Sequence, residues 1–127
     1  MSKILIVDDA LFMRARIKKI LEDTGYELLE AADGKEGCAM FEKEHPDLVL
    51  LDISMPVMNG IDALNYMIQS NPSIPIIMCS AIGQESQILE AIQLGAKQFI
   101  TKPFNDKLLI KAIQSYLEPS GGAAHAE

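Results

Sequence analysis

Leu48-Val49-Leu50-Leu51-Asp52 runs four branched apolar residues into a carboxylate. Pro46-Asp47 stands before it, and Pro56 and Asn59-Gly60 after it, so the run is strand-length and bounded by turn formers. A strand without polar alternation is buried on both faces, as in a parallel sheet covered by helices. Asp52 then sits where a core strand stops. Ile4-Leu5-Ile6-Val7 has the same character and stops at Asp8-Asp9. As parallel neighbours, the two strands would bring three carboxylates to one edge of the sheet. Like charges that close raise one another's pKa, so the cluster is costly unless a divalent cation or a proton neutralises it. The pattern predicts a metal site.

The 127 residues, 49% of them hydrophobic, suit one domain with one core. Net charge is −7, and no lysine or arginine cluster is long enough to follow a phosphate backbone, which argues against nucleic-acid binding. The N-terminus lacks a basic segment followed by an apolar stretch and cleavage site, and the longest apolar runs are strand-length. A soluble, cytoplasmic protein that engages no membrane is the expectation. Cys38 and Cys79 share no motif spacing and sit among apolar residues, so they are expected to be reduced core side chains.

Outward from the central strand, strand-like and helix-like patterns alternate. Residues 10–24 place Met13, Ile17, Ile20 and Leu21 at helical spacing, with Arg14, Arg16, Lys18 and Lys19 turned away. Asp9 is placed to cap that helix and Gly25 to end it. Residues 26–31 read as a strand interrupted by Glu27 and Glu30. After the Asp33-Gly34 turn, residues 35–44 form a helix burying Cys38 and Phe41. Beyond the central strand, a helix presents Ile61, Leu64 and Ile68 until Asn71-Pro72 stops it. Residues 74–79 form the fourth strand, ending on Ser80. Residues 84–94 give a helix with Ile88, Leu89 and Ile92 facing in and Gly95 at its end. Residues 97–101 make the fifth strand, which leads to Lys102-Pro103. The last helix, residues 106–117, buries Leu109, Ala112, Ile113, Tyr116 and Leu117. The domain is expected to span residues 1–118, and the small, Gly-rich stretch 119–127 to be a flexible tail or linker stub.

This alternation implies an α/β fold: a single doubly wound, five-stranded parallel sheet with right-handed crossovers and five helices on its two faces. Strands one, three and four are nearly all apolar, whereas strands two and five carry Glu27, Glu30, Lys97 and Gln98, which edge strands tolerate. The order 2-1-3-4-5 follows. Chain direction then reverses between strands one and three, and ligands bind outside the carboxyl ends at such a point. Asp8, Asp9 and Asp52 lie there.

A nucleotide carrier would offer glycines, hydroxyls and free amides to a phosphate after strand one. This chain offers two aspartates. They repel a phosphate but suit a hard cation with oxygen ligands, such as magnesium. With such a cation present, Asp52 can act as an oxygen nucleophile toward a phosphoryl group, with Lys102 and Ser80 meeting the spread negative charge. Taken singly, these residues have blander readings: an acid pair as cap and solvated neighbour, Lys102 as a surface charge, Ser80 as a turn residue, Phe99 as an edge-strand contact. Their joint placement at the ends of four strands favours the functional reading.

Asp8-Asp9, Asp52 with Met55-Pro56 and Asn59-Gly60, Ser80-Ala81 and Lys102-Pro103-Phe104 together resemble a two-component response regulator receiver domain. The likeness runs from about Lys3 to Leu117. Phe12-Met13-Arg14, Gly60-Ile61-Asp62-Ala63 and Ser80-Ala81-Ile82-Gly83-Gln84 look like the chemotaxis (CheY-like) type. The resemblance implies a flavodoxin-like receiver fold, with the strand order already inferred. It implies that Asp52 is the phosphoacceptor, served by a histidine kinase or acetyl phosphate. It further implies that Asp9, Asp52 and the Ser54 carbonyl bind Mg2+ directly, with Asp8 acting mostly through water. Lys102 would pair with the phosphoryl oxygens, and the bond before Pro103 would be cis. Ser80 would move toward the phosphoryl group and Phe99 would turn inward behind it. Chemotaxis relatives often carry tyrosine at position 99, so the hydroxyl is missing here. Ser54 and Ile82 would influence phosphoryl lifetime, Ile82 by shielding the acyl phosphate from water.

The implied function is a phosphorylation-controlled binding switch, with output through the face made by helix four, strand five and helix five. It is not an enzyme beyond autophosphotransfer and slow self-dephosphorylation. Implied partners are a histidine kinase and a downstream protein, the flagellar motor switch if the chemotaxis likeness holds, with a phosphatase as a further candidate. The alternatives are a Mg2+-dependent aspartyl-phosphate phosphatase or phosphotransferase, a receiver serving only as a scaffold, and a receiver excised from a larger multidomain regulator.

Overall fold

In the computed structural model, which describes residues 2–81 and 83–118, Leu48–Asp52 is a strand buried at all five positions. It is β3 of ten elements: β1 Lys3–Val7, α1 Leu11–Leu21, β2 Glu27–Ala31, α2 Gly34–Glu44, β3 Leu48–Asp52, α3 Gly60–Ser70, β4 Ile76–Ser80, α4 Glu85–Leu94, β5 Gln98–Thr101 and α5 Asp106–Leu117. The expectations for residues 119–127 and for Ile82 lie outside the described residues.

All strand pairs are parallel, in the order β2-β1-β3-β4-β5. Val7 stands beside Leu51 and Asp52 beside Cys79, so β1, β3 and β4 end at the same edge. The sheet divides the apolar interior into two layers. Leu5, Val7, Val49 and Leu51 face Cys38 and Phe41 of α2, Leu64 and Met67 of α3 and Ala91 of α4. Ile4, Ile6, Leu48 and Leu50 face Met13, Ile17 and Leu21 of α1 and Leu109 and Ile113 of α5. Each fully buried branched side chain contributes roughly 1.5–3 kcal/mol. β1 and β3 bear on both layers, and so fix the edge where their carboxylates emerge. Strands β2 and β5 are partly exposed, as edge strands are.

Several local expectations are corrected. Asp9 does not cap α1. The cap position is Ala10, and its N–H donates to Asp8 Oδ1 at 2.9 Å, because the buried Asp8 carboxylate bends back onto the turn. The helix ends at Leu21, and Thr24 closes the turn onto the Leu21 carbonyl before Gly25, whose φ is 86°. Arg14 is not turned away, since its side chain is only 13% exposed. Leu89 and Ile92 of α4 are exposed, at 60% and 41%, and Ala91 faces the core. That helix packs inward through Ala91, with Ile88 and Leu94 partly buried beside it as the period predicts for Ile88, and Leu89 and Ile92 fall outside this stripe. β4 starts at Ile76, two residues later than expected, because Pro75 has no N–H to give the ladder; its carbonyl accepts from Val49 instead.

The starts of α2, α3 and α5 are capped by short polar side chains, whereas the Gln84 side chain makes no such bond at the start of α4. Asp33, Asn59 and Asn105 accept from the N–H groups of Glu36, Asp62 and Leu108. Cys38 and Cys79 are free and buried, and burial pushes their thiols up to about 11 and about 12. Among the described residues, no helix is long and apolar enough to cross a membrane.

Candidate functional site

The parallel register places Asp8, one residue past β1, next to Asp52, the last residue of β3. Carboxylate oxygens of Asp8, Asp9 and Asp52 lie within 4.8 Å of one another. Asp8 and Asp52 are buried at 2% and 5% exposure, and Asp9 faces solvent. Lys102, just past β5, answers this charge: its Nζ donates to Asp8 Oδ2 at 2.9 Å and to Asp52 Oδ1 at 3.0 Å.

The electrostatics follow from that geometry. Burial pushes the Asp52 carboxyl up to about 6, and Asp8's charge adds to the rise, against the opposing pull of Lys102. Burial works against the Lys102 ammonium, but the hydrogen bonds and charges of Asp8 and Asp52 outweigh it and leave its pKa raised. One ammonium thus serves two buried carboxylates while a third waits at the rim. An all-oxygen donor set with surplus negative charge fits a hard divalent cation such as Mg2+.

The remaining predicted residues surround this cluster. Ser80 ends β4 fully buried, and its hydroxyl has no hydrogen-bond partner among the described residues. The Ser80 carbonyl accepts from the Lys102 N–H at 2.7 Å, so the serine and the lysine share a backbone tie. Ser80 and Phe99 line one cavity of about 290 Å3 together with Ala81, Glu85, Ile88 and Thr101. Phe99 is 45% exposed, turned away from the interior. The Lys102-Pro103 bond is cis, as expected. Ser54 is exposed on the β3–α3 loop, two residues past Asp52.

The roles of three positions escaped the sequence reading, which takes Gly60 and Gly34 as turn formers and Arg14 as a solvated charge. Gly60 opens α3 so close to Asp52 that a Cβ there would lie 2.1 Å from the Asp52 carbonyl oxygen. Gly34 opens α2 against the same loop, donating to the Met58 carbonyl at 3.2 Å, and its Cβ would lie 2.2 Å from that oxygen. Glycine as the first residue of a helix was the available signal for both. Arg14 reaches from α1 to the Asp8 carbonyl at 2.6 Å. Nothing in the helical period distinguishes it from its solvated neighbours.

Comparison with known proteins agrees with this arrangement. The profile of the response regulator receiver domain matches residues 4–114. The chemotaxis protein CheY of Bacillus subtilis is 48% identical over 116 residues, 91% of this chain and 97% of that protein. CheY of Thermotoga maritima is 46% identical over 113 residues, 88% of this chain and 94% of that protein. A CheY-like receiver domain protein of Methanospirillum hungatei superposes with a TM-score of 0.89 at 32% identity, covering 97% of this chain and 98% of that one. With the sheet order, the acid cluster and the sequence match in agreement, the chain belongs to the response regulator receiver family and carries the receiver domain of a CheY-like regulator of two-component signalling.

Proposed function

We propose that Asp52 is the phosphoacceptor of this receiver and that the phosphorylated form switches protein binding through the α4-β5-α5 face. The observation that carries the reading is the Lys102 ammonium shared between Asp8 and Asp52 at the sheet edge. An Asp52 oxygen attacks the phosphorus of a phosphohistidine or acetyl phosphate. The new O–P bond makes an acyl phosphate, and the P–N or P–O bond to the donor breaks, with its electron pair leaving on imidazole or acetate. Lys102, released from Asp52, follows the charge onto the phosphoryl oxygens. Hydrolysis later returns the Asp52 carboxylate and inorganic phosphate.

Asp9, Asp52 and the Ser54 carbonyl are proposed to hold Mg2+, with Asp8 nearby. When bound, the ion supplies charge neutralisation for the phosphoryl oxygens. Ser80 carries the switch: its hydroxyl, without a partner among the described residues, gains an acceptor when the phosphoryl group arrives, and Phe99 moves into the cavity that both line. A covalent gain of about −1.5 to −2 charge rewards only the arrangement with Ser80 and Lys102 drawn in. The proposed partners are a histidine kinase as donor and, by likeness to the chemotaxis relatives, the flagellar motor switch as target, with a phosphatase as a further candidate. Residues 1–118 are proposed as the receiver unit and 119–127 as a tail or linker.

The test is intact mass after incubation with acetyl phosphate, with and without Mg2+, for wild type and Asp52→Asn. One phosphoryl adduct that needs Mg2+ and is lost in the variant supports the reading. An adduct retained by Asp52→Asn would overturn the assignment of the acceptor.

A further inference from the structure

Arg14 is the fourth residue of α1, and its N–H closes the first helical turn on the Ala10 carbonyl at 3.1 Å. Its side chain runs back toward the sheet rather than into solvent. One terminal nitrogen donates to the Asp8 carbonyl at 2.6 Å, and Nε donates to Glu30 Oε1 at 3.0 Å. Glu30 is braced from the other side by Lys18, whose Nζ lies 2.7 Å from Oε2. Glu30 stands beside Ile6 in the β1–β2 register, and the next residue, Ala31, accepts from the Asp8 N–H at 3.1 Å. The guanidinium therefore joins three pieces: α1, the end of β2, and the peptide between Asp8 and Asp9.

That peptide carries both acids of the β1–α1 turn. A trans peptide is planar, so a donor fixed on the Asp8 carbonyl sets the plane from which the Asp9 side chain departs. Asp9 is exposed and has little packing to orient it. Its aim toward Asp8 and Asp52 thus depends on the backbone beneath it.

We infer that Arg14 is a positioning residue for cation binding: it locks the Asp8-Asp9 peptide so that Asp9 converges on Asp52, and Glu30 locks Arg14. The inference rests on the proposed Mg2+ site and names a residue outside the ligand set that tunes it. Electrostatics and positioning predict opposite signs. By charge alone, removing a cation from beside a metal site tightens Mg2+ binding. Loss of an outer-shell hydrogen bond weakens metal affinity, typically about 10–100-fold.

The experiment is calorimetric titration of the unphosphorylated full chain with MgCl2, comparing wild type, Arg14→Met, Arg14→Lys, Glu30→Gln and Asp52→Asn. Arg14→Met is expected to raise the Mg2+ Kd by about 10-fold, at the low end of the outer-shell range. Arg14→Lys, with a single point donor that serves the carbonyl or Glu30 but not both in fork geometry, is expected to fall between Arg14→Met and wild type. Glu30→Gln trades the charged acceptor shared by Arg14 and Lys18 for a neutral one and is expected to raise Kd in the same direction as Arg14→Met by a smaller factor, and an unchanged Kd there removes Glu30 from the role. In acetyl phosphate labelling, the half-saturating Mg2+ for Arg14→Met should rise in step with Kd while the rate at saturating Mg2+ recovers. A merely structural lesion would not give that split. An unchanged or tighter Kd in Arg14→Met refutes the role of Arg14. If Arg14→Met fails to fold, Arg14→Lys carries the test, and a wild-type Kd there refutes it equally. Wild type that takes up no Mg2+ would instead bring down the cation site itself.

Discussion

Replacing Asp52 with asparagine should stabilise the protein, and the gain should depend on pH. In the folded state the Asp52 carboxyl holds its proton up to about pH 6, whereas an ordinary aspartate loses it near 3.8. Ionising this group therefore costs the folded state more than the unfolded one. One pKa unit is about 1.36 kcal/mol, so the rise of roughly two units corresponds to about 3 kcal/mol. Screening at the open edge of the site reduces this, and about 2 kcal/mol is the working figure. Because the folded pKa is raised, wild type loses this stability as pH climbs from about 4 to about 6. The carboxamide of the Asp52→Asn variant has no such proton to lose. Urea unfolding in the presence of a chelator, at pH 4 and pH 8, measures the difference. With a slope of about 2 kcal/mol/M, the variant's midpoint should exceed wild type by about 1 M at pH 8 and by little at pH 4. A midpoint difference that is absent at pH 8, or equal at both pH values, would refute the account of Asp52 as a carboxylate strained by burial and by Asp8.

Three further outcomes follow from the same geometry. Lys102→Met removes the ammonium shared by Asp8 and Asp52; acetyl phosphate labelling, read by intact mass, should slow by about 100-fold or more, while Mg2+ affinity by calorimetry holds or improves. Ser80→Ala deletes a buried hydroxyl that has no partner among the described residues, so the urea midpoint should hold or rise, by up to about 1 kcal/mol; the phosphorylation-dependent shift of the Phe99 ring resonances should disappear, and its persistence would exclude Ser80 as the switch. Gly60→Ala sets a methyl 2.1 Å from the Asp52 carbonyl oxygen and should cost about 1–3 kcal/mol in urea unfolding. Its Mg2+ affinity should fall as well, because Asp52 is the residue displaced.

The features legible in the sequence were those with a one-dimensional signature. Unbroken apolar runs at β1, β3 and β4 announced strands covered on both faces, and polar residues in β2 and β5 announced edges. Strand order then placed Asp8 beside Asp52 with no further information. What escaped depends on distances that periodicity does not encode. Leu89 and Ile92 occupy helical positions that look inward, yet α4 meets the sheet through Ala91 and leaves them in water. Asp9 has the residue type and spacing of an N-cap, but buried Asp8 competes for the same turn and takes the Ala10 N–H. Arg14 shares the charge of Arg16 and Lys19, and only the fold brings it two acceptors, Glu30 on β2 and the Asp8 carbonyl of the β1–α1 turn. Gly60 matters through a carbonyl brought to it by the loop, a contact made when the chain closes on itself.

The two cysteines have a practical consequence. A thiol reacts as its thiolate, and with Cys38 raised to about 11 and Cys79 to about 12 behind packed side chains, neither offers one at neutral pH. The native chain is therefore its own unreactive background: a single cysteine introduced at an exposed position such as Ser115 would take a fluorophore or spin label selectively. Cys79 on β4, inside the sheet, and Cys38 on the buried face of α2 would become labelled only when the fold opens. The rate at which a thiol reagent consumes each one is thus a clock for two different openings, one of the strands and one of a single helix, read from the unmutated protein.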